Sequence, residues 1–323
     1  MQKAMIEKAK QLLEDKTVGR VIGWKQGEFA YDSTPAVFKS VEEIEENFVF
    51  NDFTASNVSK YLIKESKNIF GTLVFLKPCD TYSFNQLVKE HRIIKENVHV
   101  VGIECNGKLD IEKIKAKGIS GIKSIKNENG VLQIETVYGN ETLNFEDALA
   151  ERCLSCKSKK HVIYDELIGE DGELLDSNRF DMVEELEKMT AEERYIFWRE
   201  QLSKCIRCNA CRNVCPACSC EKCVFDNDNS GVANKAPVNS FEENMFHIIR
   251  AFHVAGRCTD CGECSRVCPQ NIPLHLLNRK FIKDINELYG EYQAGADTES
   301  RAPLTDYTQE DCEPAVVHER GAE

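Results

Sequence analysis

The sequence predicts an α/β amino-terminal domain with a partly parallel sheet, joined to a mainly α carboxy-terminal domain organised by cysteines. Thr72–Leu76 and Val98–Ile103 are strand-like apolar runs separated by a helical pattern, as in a right-handed crossover between parallel strands. Two runs of C-x2-C-x2-C-x3-C-P, Cys205 to Pro216 and Cys258 to Pro269, follow in the second half. A length of 323 residues with 42% hydrophobic content suits about two domains with proper cores. The expected division is 1–170 for the α/β domain, 171–200 for a linker and helix, 201–294 for the cysteine-organised domain and 295–323 for a tail.

In chain order, Met5, Ile6, Ala9, Leu12 and Leu13 recur at helical spacing, and Arg20–Trp24 reads as a short strand. After the strand Thr72–Leu76, Asp80 is the expected cap of a helix through Phe84, Leu87 and Val88, which leads to Val98–Ile103. Cys79 and Cys105 each follow one of these strands, so both thiols belong at the carboxyl edge of the sheet, where α/β proteins place their sites. Cys79 also falls at a helix N-terminus, where dipole and free N–H groups favour a thiolate. The pair Cys153-Leu-Ser-Cys156 lies just beyond. These four thiols are enough for one cubane cluster. On spacing alone, packing cysteines and a zinc or redox C-x-x-C stand beside that reading.

Residues 157–189 are polar and acidic, with Gly169 and Gly172, and predict a connection between the domains. Thr190 and Glu193 form a capping box for a helix carrying Ile196, Phe197 and Leu202 into Cys205. The double cysteine run has the spacing of a bacterial two-cluster ferredoxin, in which three thiolates wrap one 4Fe-4S cluster and the fourth crosses to the other. The ligand sets are then Cys205, Cys208 and Cys211 with Cys268, and Cys258, Cys261 and Cys264 with Cys215. Zinc would not require the repeat twice. Lys204, Arg207, Arg212, Arg257 and Arg266 stand beside the motifs and read as compensation for anionic cluster charge. Phe225 to Ser240 is a polar loop, and Phe241 to Val254 a helix whose His247 and His253 read as packed or capping residues ahead of cluster neighbours. Leu274 to Tyr292 is helical, and from Gly295 a charged tail awaits a partner. Cys218, Cys220, Cys223 and Cys312 remain. Three readings stay open: an extra metal site at Cys218, Cys220 and Cys223 completed by Cys312 or a partner; pairing of Cys220 and Cys223 with Cys153 and Cys156; and accessory roles.

The formal charge of −13 disfavours nucleic acid or an anionic membrane as a partner. No run approaches the roughly 18 apolar residues of a membrane span, and the charged N-terminus lacks a signal peptide's apolar centre. Sixteen cysteines predict the reducing cytoplasm.

In order along the chain, Val21-Ile-Gly23, Lys77-Pro-Cys79-Asp80, Gly102-Ile-Glu-Cys105 and Arg152-Cys-Leu-Ser-Cys156 resemble the beta subunits of deazaflavin-dependent hydrogenases and formate dehydrogenases over roughly residues 18–170. The second half is similar to the formate dehydrogenase members through Cys215-Pro-Ala-Cys218-Ser-Cys220-Glu-Lys-Cys223, Phe246-His247, Arg250, His253 and Ile272-Pro273-Leu274. The resemblance implies that Cys79, Cys105, Cys153 and Cys156 ligate one 4Fe-4S cluster, three clusters in all. It also implies FAD beside that cluster, held with a glycine-rich D-G-G segment. Here the matching stretch, Glu7 to Lys16, is a charged helix without a glycine pair, and no G-x-G-x-x-G occurs. No acid–base or nucleophile constellation stands out. The expected function is an electron-transfer subunit of a soluble anaerobic oxidoreductase complex, linking a formate dehydrogenase, hydrogenase or heterodisulfide-reductase-like partner to another carrier such as soluble ferredoxin. The alternatives are an FAD-dependent subunit that splits hydride into single electrons, and a zinc-stabilised scaffold.

Overall fold

The computed structural model describes residues 1–226 and 240–305. Helix α1 (Gln2–Glu14) packs Met5, Ala9 and Leu12 onto the core, and β1 (Val21–Gln26) and β2 (Ser33–Phe38) form an antiparallel hairpin. The short helices α2 (Val41–Asn47) and α3 (Leu62–Glu65) lead to β3 (Thr72–Leu76), whose five residues are all buried. A continuous apolar run is what a parallel strand covered on both faces requires. Helix α4 (Pro78–Lys89) crosses to β4 (Val98–Ile103), parallel to β3. The chain continues through α5 (Ile111–Ala116), strands β5 (Ile122–Glu128), β6 (Val131–Thr136) and β7 (Gly139–Asn144), helix α6 (Glu151–Leu154) and strand β8 (Glu166–Ile168). The main sheet has the order β2-β1-β3-β4-β8, parallel except for the β2 edge, and β5-β6-β7 form a separate antiparallel meander. The expected α/β region with a partly parallel sheet is borne out.

The second half is helical: α7 (Asp181–Lys188), α8 (Ala191–Leu202), α9 (Ala210–Val214), α10 (Ser240–His253), α11 (Glu263–Arg266) and α12 (Leu274–Tyr289). The capping box of Thr190 and Glu193 opens α8 as expected. No helix among the described residues is long and apolar enough to cross a membrane.

Four expectations change. Lys77, not Asp80, caps α4, because Pro78 sits at its first position where a missing N–H costs nothing. Asp80 is instead buried in the first turn, 2.7 Å from the equally buried Lys77 ammonium. The stretch 157–189 is not a simple connection: β8 extends the sheet, and Val183 and Leu186 of α7 pack on Leu276 of α12. Helix α12 ends at Tyr289, short of Tyr292, where Gly290 turns the backbone to φ +87°. The tail from Gly295 to Thr305 is packed on the chain itself, with Lys89 Nζ donating to the Ser300 carbonyl. The loop residues 227–239 and Cys312 lie outside the described residues.

Candidate metal centres

The two cysteine runs fold as repeats of one backbone. Arg207 and Asn209 in the first, and Asp260 and Gly262 in the second, occupy matching positions around the middle cysteines and all have φ between +56° and +68°. Alternation of left- and right-handed residues turns successive N–H groups inward, the nest geometry that receives anions and iron–sulfur clusters. Short helices α9 and α11 follow directly, carrying Cys211 and Cys264.

Cys205, Cys208, Cys211 and Cys268 line one cavity, closed by Phe246 and His247. The Arg207 backbone N–H donates to Cys205 Sγ at 3.4 Å, and His247 Nε2 lies 3.3 Å from the same sulfur. Burial, then the charges of Arg250 and Arg207, lower the His247 pKa to about 3, so the ring beside that sulfur is neutral. The helix Phe241 to Val254 was expected to carry packed histidines; His247 is packed, buried edge-on against Phe246, and also lies beside a cysteine, while His253 is exposed. Cys215 is near enough to Cys258, Cys261 and Cys264 for its charge to act on each. Burial pushes the Cys211 and Cys258 thiols up to about 12, so binding metal here must release protons.

Between these two sets lies Arg250, 1% exposed. None of its three side-chain nitrogens has a hydrogen-bond partner among the described residues. The groups whose charge acts on it are Cys264, Cys211, Cys215 and Cys218. A buried, unpaired guanidinium costs several kcal/mol by the usual measure of about 3–5, so its place among thiols fits an anionic group held by them.

Cys79 and Cys105 emerge at the carboxyl edge of β3 and β4 and share a cavity with Cys153 and Cys156. Asp260 and Cys261 of the second motif complete the wall. Burial, followed by the neighbouring Asp80 carboxylate, pushes the Cys79 thiol well up, which outweighs the thiolate expected from its helix N-terminus. The halves are joined beside this cavity by buried polar contacts. Arg152 donates to the Cys261 carbonyl at 3.0 Å and pairs with Glu263, Lys157 donates to the Thr259 carbonyl, and Ser83 and Thr259 hydroxyls meet at 2.9 Å.

Cys218, Cys220 and Cys223 line a different pocket. The geometry therefore does not bring Cys220 and Cys223 to Cys153 and Cys156. Among the described residues no three His, Cys, Asp or Glu side chains gather tightly enough for a single metal ion. The basic residues expected to offset cluster charge do so only in part. Arg257 pairs with Glu90 at 2.6 Å, Arg212 with Asp226 at 2.9 Å and Arg266 with Glu263 at 2.7 Å, while Lys204 donates to Gln201. The cations buried beside the thiols include Arg250, Lys77 and Lys108, with Arg152 and Lys157 partly buried at the same cavity, and they carry no sequence signal beyond their spacing.

Residues 201–272 match the family model of a 4Fe-4S dicluster domain. The F420-dependent formate dehydrogenase subunit beta of Methanocaldococcus jannaschii is 25% identical, over 91% of this chain and 92% of that protein. The F420-dependent formate dehydrogenase 1 subunit beta of Methanococcus maripaludis is 26% identical, over 91% of each. A chain of the F420-reducing NiFe hydrogenase complex from Methanosarcina barkeri aligns at 16% identity with a TM-score of 0.36, covering 48% of this chain and 62% of that one. The resemblance drawn from the ordered motifs is thus borne out, and the helical carboxy-terminal region contains a 4Fe-4S dicluster domain at residues 201–272.

Proposed function

We propose that this chain is the iron–sulfur electron-transfer subunit of a larger oxidoreductase complex, with twelve cysteines holding three 4Fe-4S clusters. The sets are Cys79, Cys105, Cys153 and Cys156; Cys258, Cys261, Cys264 and Cys215; and Cys205, Cys208, Cys211 and Cys268. Such clusters supply one-electron redox chemistry at potentials set by charge, hydrogen bonds and exposure. One observation carries the reading: Cys261, from the second set, lines the cavity of the first, while Cys264 of the second packs with Cys211 of the third. The thiol sets are consecutive, and electron tunnelling weakens steeply with distance.

The chain's own residues do the supporting work. The Arg207 N–H of the first nest donates to sulfur with His247 Nε2 beside the same atom, Arg250 places positive charge between two sets, and Arg152 and Lys157 fix the amino-terminal cavity against the second motif. The relatives support the other subunits of a formate dehydrogenase or a similar redox enzyme as partners; a further carrier such as soluble ferredoxin at the far end and the reducing cytoplasm of an anaerobe complete the proposal. Residues 7–14 lie within the packed helix α1 rather than a glycine-rich cradle, which favours a relay without FAD in this chain. Flavin released by acid from the anaerobic protein checks that point, and one FAD per chain would favour hydride splitting instead. For the relay, Cys208→Ser should keep the fold, lose one cluster's signal by electron paramagnetic resonance and stop transfer through the chain. Transfer at the wild-type rate in that variant would refute it.

A further inference from the structure

Three cysteines stand outside the twelve, and their surroundings differ from those of leftover thiols. Cys218, Cys220 and Cys223 follow Pro216 in a C-x-C-x2-C run and all line one pocket of about 610 Å³. Facing them are Lys60, Arg92, Arg212, Arg250 and Arg257. The carboxylates nearby are already engaged: Glu65 with Arg20, Asp226 with Arg212, Glu90 with Arg257 and Glu221 with Arg92. That leaves Lys60, half-buried and held only by the Arg212 carbonyl at 3.3 Å, and Arg250, buried with no partner for any of its three nitrogens among the described residues. A pocket that joins a half-buried ammonium, and the Arg250 guanidinium it shares with the ferredoxin-type sets, to three soft donors suits an anionic group that binds sulfur.

We propose that Cys218, Cys220 and Cys223 hold a fourth iron–sulfur cluster, of the cubane type, with one coordination position left for a donor from another molecule. This deepens the reading of the chain as an iron–sulfur relay and rests on it. The alternatives fit less well. An organic anion would use the cations but not the thiols. A zinc ion would take up the thiolates but, being itself a cation, would not answer the positive charge of Lys60 and Arg250. Among the described residues no fourth cysteine lines the pocket. The Cys218 N–H donates to the Cys215 carbonyl at 3.1 Å, which sets this group directly beside the second ferredoxin-type set, on a face different from the amino-terminal cavity. The pathway then has a side terminus whose open position admits a thiol, water or partner side chain.

The test compares anaerobically purified full-length protein, as wild type, Cys220→Ser and Cys79→Ser, by iron and sulfide content and native mass spectrometry. Cys220 is exposed, so its replacement leaves no buried cavity. The proposal expects Cys220→Ser to lose about four irons while the ferredoxin-type signals stay, and wild-type protein to carry four cluster increments in its mass. Equal iron in wild type and Cys220→Ser, with three increments in both, overturns it and leaves the three-cluster relay standing. If instead Cys79→Ser keeps wild-type iron while Cys220→Ser loses four, the relay assignment fails and the site at Cys218 to Cys223 holds.

Discussion

At the scale of single residues, two inward-facing groups decide how readily the ferredoxin-type sets accept electrons. A donor or cation beside a cluster stabilises its more negative, reduced form and so raises its potential. His247→Leu removes the ring that lies 3.3 Å from Cys205 Sγ, and should lower the potential of that set alone. Arg250→Gln removes a charge near thiols of both sets and should lower both, by about 59 mV for each tenfold change in a one-electron equilibrium. A redox titration followed by electron paramagnetic resonance separates the two patterns, and unchanged potentials in Arg250→Gln would mean that its charge is neutralised otherwise. The cysteines of both motifs were legible because their spacing is itself the geometry. The charges were not. Arg212, Arg257 and Arg266 stand next to the motifs in sequence yet each found a carboxylate, whereas Arg250 stands eight residues before Cys258 and points between the sets.

At the scale of elements, the strands Thr72–Leu76 and Val98–Ile103 were readable to the residue because a doubly covered parallel strand is apolar throughout. The meander of β5, β6 and β7 was missed, although β6 alternates buried and exposed positions along Leu132 to Thr136. Strand β8, three residues long, is too short to show a period, and its pairing depends on β4. The tail was read as ordered only by a partner because its composition is charged, but the anchoring of residues 295–305 is a backbone matter. Gly295, at φ +75°, lies so close to the Tyr82 carbonyl that a Cβ would overlap it. Gly295→Ala should therefore cost on the order of 1–3 kcal/mol and free residues 295–305 to protease, measured by thermal melting and limited proteolysis. Helix α7 is tied to α12 by Glu187, which meets Lys280 at 2.8 Å and Lys283 at 2.9 Å. Hydrogen bonds from Lys280 and then Lys283 hold the Glu187 carboxyl below its usual range. A lowered folded value means stability that is present above the unfolded value near 4.3 and lost as pH falls through the folded one. Glu187→Gln should cost roughly 0.2–1 kcal/mol at neutral pH, the range for exposed pairs, and the gap to wild type should close in acid melts.

At the scale of the molecule, the α/β region and the iron–sulfur domain meet through buried charge rather than through an apolar seam. Arg152, beside Cys153, reaches across to the Cys261 carbonyl and to Glu263, which Arg266 also holds. Removing it leaves a buried carboxylate with one partner. Arg152→Met should cost about 3–5 kcal/mol and raise hydrogen exchange on both sides of the junction, and protection unchanged from wild type would show that the halves are held otherwise. That junction was invisible in sequence, since its partners are more than a hundred residues apart. It is also what brings the amino-terminal thiols up to Cys261, as the proposed relay requires. The most direct measurement is iron and acid-labile sulfide per chain in anaerobically purified wild type, Cys105→Ser, Cys208→Ser and Cys261→Ser. Three sets predict a loss of about four irons in each variant, and a Cys105→Ser protein with undiminished iron would contradict the relay.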